Sequence, residues 1–329
     1  MSFKTSEFRV LAEGLGYPEG PVYQSDGSVL LVEIQNGTLT RIPPNGTKQI
    51  VATLGGGPNG AAVGPDGAVY VCNDGGMNFM PIPQPPALSP VSVPYGQSAT
   101  YSGGYIQRVN LNDGTFTTLY STCNGNKLCS PDDLVFDADR SFWFTDWGKQ
   151  RAADRDITAV YYAAADGSKI TQAIPQRSAP NGIALSPDDK RLYVAETYAR
   201  WILYWELDSP GVIKSNKPVL DDSHLLTADI PGCGTLDSMA VDEEGNIYVA
   251  TMLPQGPNPT VAGGITVVSP QGKILDFIEL KVEGKPEPLP SNICFGGPDR
   301  RTAFITLAGT GRLVSCEMKI PGKKLHFAS

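Results

Sequence analysis

The chain has 329 residues, 41% of them hydrophobic and only 18% charged, with 36 glycines and 28 prolines; this composition fits a turn-rich globular protein and excludes a disordered one. A net charge of -8 with no basic stripe argues against nucleic-acid and anionic-membrane partners and suits a protein that attracts a cation. No apolar run reaches the ~20 residues of a membrane helix, and the opening MSFKTSEF lacks the apolar core of a signal peptide, so a cytoplasmic protein is expected.

Residues 8–14, FRVLAEG, form the first candidate strand. A recurring phrase then begins at 18 (PEGPVYQSDGSVLLVE) and returns at 58 (PNGAAVGPDGAVYVCN), 131 (PDDLVFDADRSFWFTD), 180 (PNGIALSPDDKRLYVAE), 236 (LDSMAVDEEGNIYVAT) and 291 (SNICFGGPDRRTAFIT). Each copy holds a short strand, a turn built on Asp, Gly or Asn, and a second strand rich in Val, Tyr, Phe and Trp, which is a hairpin signature. Further strand-like runs, such as 104–109 and 201–205, lie between copies and complete four-stranded units. Six units near the ~40–50-residue blade period predict an all-β, six-bladed β-propeller spanning 1–329 as one domain. Strand 8–14 is expected to close the ring against the last blade, leaving no exposed edge.

The step from 58 to 131 is the longest, because 76–104 is a Pro-, Ser- and Gly-dense insertion. It is expected to form a lid over one channel mouth, with an inert insertion as the alternative. Cys123 and Cys129 bracket a short polar loop and are the one pair considered for a disulfide, though the reduced state is expected. Cys72, Cys294 and Cys316 sit in apolar runs and read as buried hydrophobes.

The second residue of each phrase is Glu19, Asn59, Asp132, Asn181, Asp237 or Asn292, so every copy carries a side-chain oxygen at one equivalent position. In a closed propeller these positions ring the axis. Asn and Asp also favour turns for local reasons, but Glu does not, and three carboxylates converging on one channel repel unless a cation sits among them. Carboxylates and amides without His or Cys are hard ligands, so a central channel binding one divalent ion is expected, Ca²⁺ favoured over Mg²⁺, Mn²⁺ or Zn²⁺.

These phrases and their order resemble the SMP-30/gluconolactonase (regucalcin-like) family along essentially the whole chain. The resemblance implies a metal held by Glu19 of PEGP, Asn181 of PNG and Asp237, with Asp132 as a fourth polar neighbour. It implies hydrolysis of a small cyclic ester by metal-activated water, with Asp237 as ligand and base and Asp132 on the substrate side. Asp132 stands where relatives usually carry Asn, and Ser130 where sugar-lactone-handling members often carry Arg. Loss of a forked guanidinium leaves room for a less polar ring than an aldonolactone. Asp132, Ser130, Asn59 and Asp146 are the substrate-contact candidates, while Asn59 and Asn292 otherwise fall back to turn or outer-ring roles.

Glu33, Asp74, Asp146 and Glu196 end second strands, as channel-lining or solvated residues, and Phe79, Tyr95, Tyr105, Trp147 and Tyr198 are candidates for an apolar wall. Neither His224 nor His326 lies in a repeat phrase, which counts against a His-based mechanism. Two other readings stay open: a non-enzymatic binding propeller with a structural Ca²⁺, and a hydrolase of phosphotriesters or cyclic diketones on the same metal. An enzyme should show a pocket open above the ring. Oligomeric state is not legible.

Overall fold

The computed structural model describes residues 2–82, 91–214, 224–228, 230, 234–252 and 262–327. Its strands group into six antiparallel blades, and the six phrases supply the two inner strands of each. The innermost strands are Pro18–Tyr23, Pro58–Val63, Pro131–Phe136, Pro180–Leu185, Thr235–Val241 and Pro290–Gly296. They pack in that order around an axis, the last against the first. Arg9–Ala12 pairs with Arg312–Glu317 as the outermost strand of blade 6, so the expected closure is present.

Both faces of a blade are covered, which explains the nearly unbroken apolar runs of the second strands. Side chains alternate across a strand. Val69 and Val71 therefore join the core against blade 1, while Tyr70 and Cys72 join the core against blade 3. Trp143 likewise faces blade 4 while Phe142 and Phe144 face blade 2. Three further cores fill the junctions of blades 4 and 5, 5 and 6, and 6 and 1. Ser291 Oγ donates to the carbonyl of Pro18 at 3.0 Å, which ties the last blade to the first at the axis.

Cys72, Cys123, Cys129, Cys294 and Cys316 are all free thiols, and Cys233 lies outside the described residues. Within 76–104, Met77–Ile82 and Val91–Gln97 pair as an antiparallel hairpin; 83–90 lie outside the described residues. Phe79 packs on Tyr17 of the blade 1 approach, with ring centroids 5.2 Å apart. Ser92 N donates to Gly309 O at 3.0 Å, anchoring the hairpin to blade 6.

The opposite mouth carries a feature the repeats did not announce. Residues 321–327 run across the channel end as a strap. Gly322 N donates to Arg300 O of blade 6 and Lys323 N to Val241 O of blade 5, each at 2.8 Å. The buried Lys323 ammonium donates to Ser186 O of blade 4 at 2.9 Å and pairs with Asp189. Phe327 meets Phe136 of blade 3 edge-on at 5.7 Å. A cavity of about 130 Å³ remains between the strap and the inner strands. Among the described residues no helix is long and apolar enough to cross a membrane.

Candidate active site

Every innermost strand breaks register within its first residues: between Glu19 and Val22, Pro58 and Ala61, Pro131 and Leu134, Pro180 and Ile183, Leu236 and Met239, and Pro290 and Asn292. A bulge re-aims the side chain beside it, and here it falls at the oxygen-bearing position of each phrase. The glycine that follows in three phrases lets adjacent strands close up. A Cβ on Gly60 would stand 2.5 Å from the Asp132 carbonyl oxygen, and one on Gly182 would stand 2.7 Å from that of Asp237.

The six ring residues are between 2% and 8% exposed, Glu19 least and Asp237 most. Around the axis, acid and amide alternate, and each amide serves the acid of the next blade. Asn59 Nδ2 donates to Asp132 Oδ2 at 3.0 Å, and Asn292 Nδ2 donates to Glu19 Oε2 at 2.9 Å. Asn181 stands in the corresponding place before Asp237 and favours its charged form. Asn59 and Asn292 are therefore inner partners of carboxylates, a correction to their reading as turn or outer-ring residues. The alternation Glu, Asn, Asp, Asn, Asp, Asn is visible in the phrase order and is the signal that could have placed them.

Burial raises the pKa of all three acids. Glu19 is pushed well above the usual range by burial and then by Asp237, against the Asn292 and Gly20 hydrogen bonds. Asp132 is pushed well above it by burial, Asp237 and Glu19. Asp237 rises to about 7, chiefly through burial, with Asn181 opposing. Asp133, beside the ring, also rises to about 7 through burial, although the Leu134 amide holds its carboxylate.

Five of the six ring residues, all but Asn292, floor a cavity of about 760 Å³. Tyr95, Trp147 and Tyr198 line it as expected, joined by Tyr17, Met77 and Met252. Phe79 backs Tyr17 rather than facing the cavity, and Tyr105 stands apart from it. Ser130 is fully buried with an unpartnered hydroxyl and does not reach the cavity wall. Asp146 is equally buried and accepts from the backbone amides of Cys129, Ser130 and Gly148. Glu33 accepts from Gly16 N and Lys48, Asp74 pairs with Lys149 at 3.2 Å, and Glu196 lies 3.6 Å from Arg177. These four strand-end acids brace loops, and none of them lines the cavity. His224 stacks on Trp205 and His326 contacts Asp189, both away from the ring.

The ring's chemistry suits a hard cation. All its donors are oxygens, and Asp132 Oδ1 is buried with no hydrogen-bond partner. Among the described residues no three acids, imidazoles or thiols converge on one point. Amides alternate with the acids around the axis, so a cation here would draw on amide oxygen as well as carboxylate.

Residues 17–309 match the family model described as the SMP-30/Gluconolactonase/LRE-like region. The gluconolactonase of Zymomonas mobilis is 26% identical over 325 residues, covering 92% of this chain and 79% of that protein. The lactonase drp35 of Staphylococcus aureus is 29% identical over 235 residues, 70% of this chain, which spans only 62% of that relative's length. Regucalcin from Agrobacterium tumefaciens, a calcium-binding protein, superposes with a TM-score of 0.72 at 17% identity, over 98% of this chain and 97% of its own. The gluconolactonase from Xanthomonas campestris gives 0.68 at 21%, over 94% and 89%. At those identities the two structures speak for the propeller alone, and it is the match over 17–309 that makes this chain a member of the SMP-30/gluconolactonase/LRE-like family.

Proposed function

We propose that this chain is a lactonase-type hydrolase that opens a small cyclic ester at the acid–amide ring, with one divalent cation, Ca²⁺ by preference, as cofactor. One observation carries the reading. Three buried carboxylates alternate with amides around the floor of an open cavity, and none forms an ion pair with Lys or Arg among the described residues. Such a cluster is costly unless a cation joins it. Curated relatives called gluconolactonase and lactonase support the same reaction class.

Glu19, Asn181 and Asp237 are the residues that would hold the ion. When bound there, such an ion would supply Lewis acidity for an ester carbonyl and a water. Asp237 takes the proton from the attacking water. The water oxygen bonds to the carbonyl carbon, the ring C–O bond breaks, and the released alkoxide oxygen takes the proton back from Asp237 to give a hydroxy acid. Asp132, with Oδ1 unsatisfied and Oδ2 held by Asn59, accepts a hydrogen bond on the substrate side. Tyr17 and Trp147 shield the ring from bulk water.

A panel of lactones, phosphotriesters and cyclic diketones, assayed with EDTA and after adding back Ca²⁺, Mn²⁺ or Zn²⁺, tests this. Lactone turnover should vanish with EDTA and return with the ion. Asp237→Ala should lower kcat by on the order of 10²–10⁴-fold while circular dichroism stays unchanged. Full activity in metal-free protein would refute the metal's role. Turnover of another class alone would move the substrate, and tight Ca²⁺ binding without any turnover would favour the binding propeller.

A further inference from the structure

Above the ring the cavity changes character. Trp147 and Tyr198 form one face, with ring centroids 5.9 Å apart, and Tyr17 backed by Phe79 forms another. Ile34, Val93, Met252 and Leu289 fill between them. Several polar atoms of this wall are committed to protein partners. Trp147 Nε1 donates to Thr197 Oγ1 at 3.0 Å, and Tyr198 OH donates to Gln150 Oε1 at 3.1 Å. Asn78 Nδ2 donates to Gln97 O at 2.9 Å, and Lys149 Nζ donates to Gly76 O at 3.1 Å beside its pairing with Asp74. Arg151 at the rim is held by Asp154 and Asp156.

The Arg155 guanidinium stands outside the cavity lining, donating to Trp147 O while its Nε and Nη1 are buried and unpartnered. It lies 3.9 Å from the Trp147 ring centroid and 5.0 Å from that of Tyr198, behind the wall rather than in it. There it stiffens the pair by cation–π stacking. Tyr198 and Tyr95, both in the cavity lining, are nonetheless 51% and 64% exposed. Aromatic surface left open over a polar floor marks a ligand site rather than a core.

A polyhydroxylated lactone needs donors and acceptors along its whole edge, and a site rejects strongly only what its own polar groups are built to read. This wall offers packing. Its volume of about 760 Å³ falls in the roughly 300–1,000 Å³ range that buries drug-sized ligands.

Resting on the hydrolase reading above, we propose that the substrate is a lactone carrying a bulky apolar arm. Its ester lies on the acid–amide ring while the arm packs between the Trp147–Tyr198 face and Tyr17. Tyr198 is then a specificity determinant, acting through its ring rather than its hydroxyl.

The test uses the full chain with Ca²⁺ and three lactones of one ring size: bare δ-valerolactone, a phenyl-substituted δ-valerolactone and δ-gluconolactone. The phenyl lactone should exceed δ-gluconolactone in kcat/KM by about tenfold or more. Tyr198→Ala should cost the phenyl lactone several-fold more than the bare ring, mainly through KM, and Tyr198→Phe should keep the preference. Equal or better turnover of δ-gluconolactone, or an equal loss on all three in Tyr198→Ala, overturns the proposal while leaving the hydrolase reading intact. If no lactone is turned over, the hydrolase reading fails and calorimetry with the non-hydrolysable phenyl lactam decides the inference. Binding weakened by Tyr198→Ala sustains it, and absent or unchanged binding ends it.

Discussion

Glu19 and Asp132 each receive an amide from the preceding blade and Asn181 favours the charged form of Asp237, so the ring consists of three amide–carboxylate couples leaning the same way around the axis. The couples depend on how closely neighbouring inner strands approach. Behind Asp237 that approach rests on Gly182, where an added Cβ would stand 2.7 Å from the Asp237 carbonyl oxygen and 2.8 Å from the Met239 amide. Backbone cannot yield as a side-chain tip does. Gly182→Ala should therefore destabilise the protein by about 1–3 kcal/mol and lower turnover as well, because Asp237 moves with its strand. Thermal denaturation and a lactone assay read the two effects. Gly67→Ala in the blade 2 turn, where nothing lies within 4 Å but φ is +76°, should lower stability without the loss of turnover.

At the scale of elements, the blades were legible and the accessories were not. Each inner strand reads as a strand because its alternation meets two cores, and each second strand because both its faces are buried. The run 76–104 reads as a lid or an inert insertion, but the pairing of Met77–Ile82 with Val91–Gln97 is not foreseen, since Met, Asn, Phe and Pro there have no period. Its role as cavity wall depends on contacts with Tyr17 and Gly309 that are remote in sequence. The strap of 321–327 gave no sign at all: PGKKLHF is short, polar and outside the repeat. Its hold is tertiary, through the Lys323 ammonium on blade 4 carbonyls and Asp189. Lys323→Met removes a buried cation and leaves Asp189 with His326 and solvent, and should cost about 1–3 kcal/mol, below the range for a fully buried pair. The strap lies at the mouth opposite the cavity, so kcat/KM at 25 °C should stay within about twofold while Tm falls.

Over the whole molecule, the buried acids set a pH dependence. Asp133 and Asp237 rise to about 7 and Asp146 to about 6, all chiefly through burial. Their unfolded values lie near 3.9, so between roughly pH 4 and 7 the folded chain binds more protons than the unfolded one. Stability of the metal-free protein then falls as pH rises through that window. Asp26 and Asp66 are lowered by hydrogen bonds and cationic partners; both are already ionised in either state there, and their contributions are lost only below it. With EDTA, Tm should be higher at pH 5 than at pH 7.5, by a few degrees at least, and Ca²⁺ should shrink or reverse the difference. A Tm that rises with pH in EDTA would contradict this.

The same closure that joins the ends of the ring has a consequence for how the molecule comes into being. Arg9–Ala12 finds its partner only in Arg312–Glu317, and Glu19 finds its amide only in Asn292. Contacts of such long sequence separation form late. A nascent chain still short of blade 6 has an unpaired first strand and two of three amide–carboxylate couples, and its exposed edges are sticky. A chain cut short of blade 6 therefore lacks the Asn292–Glu19 couple and should be prone to aggregate.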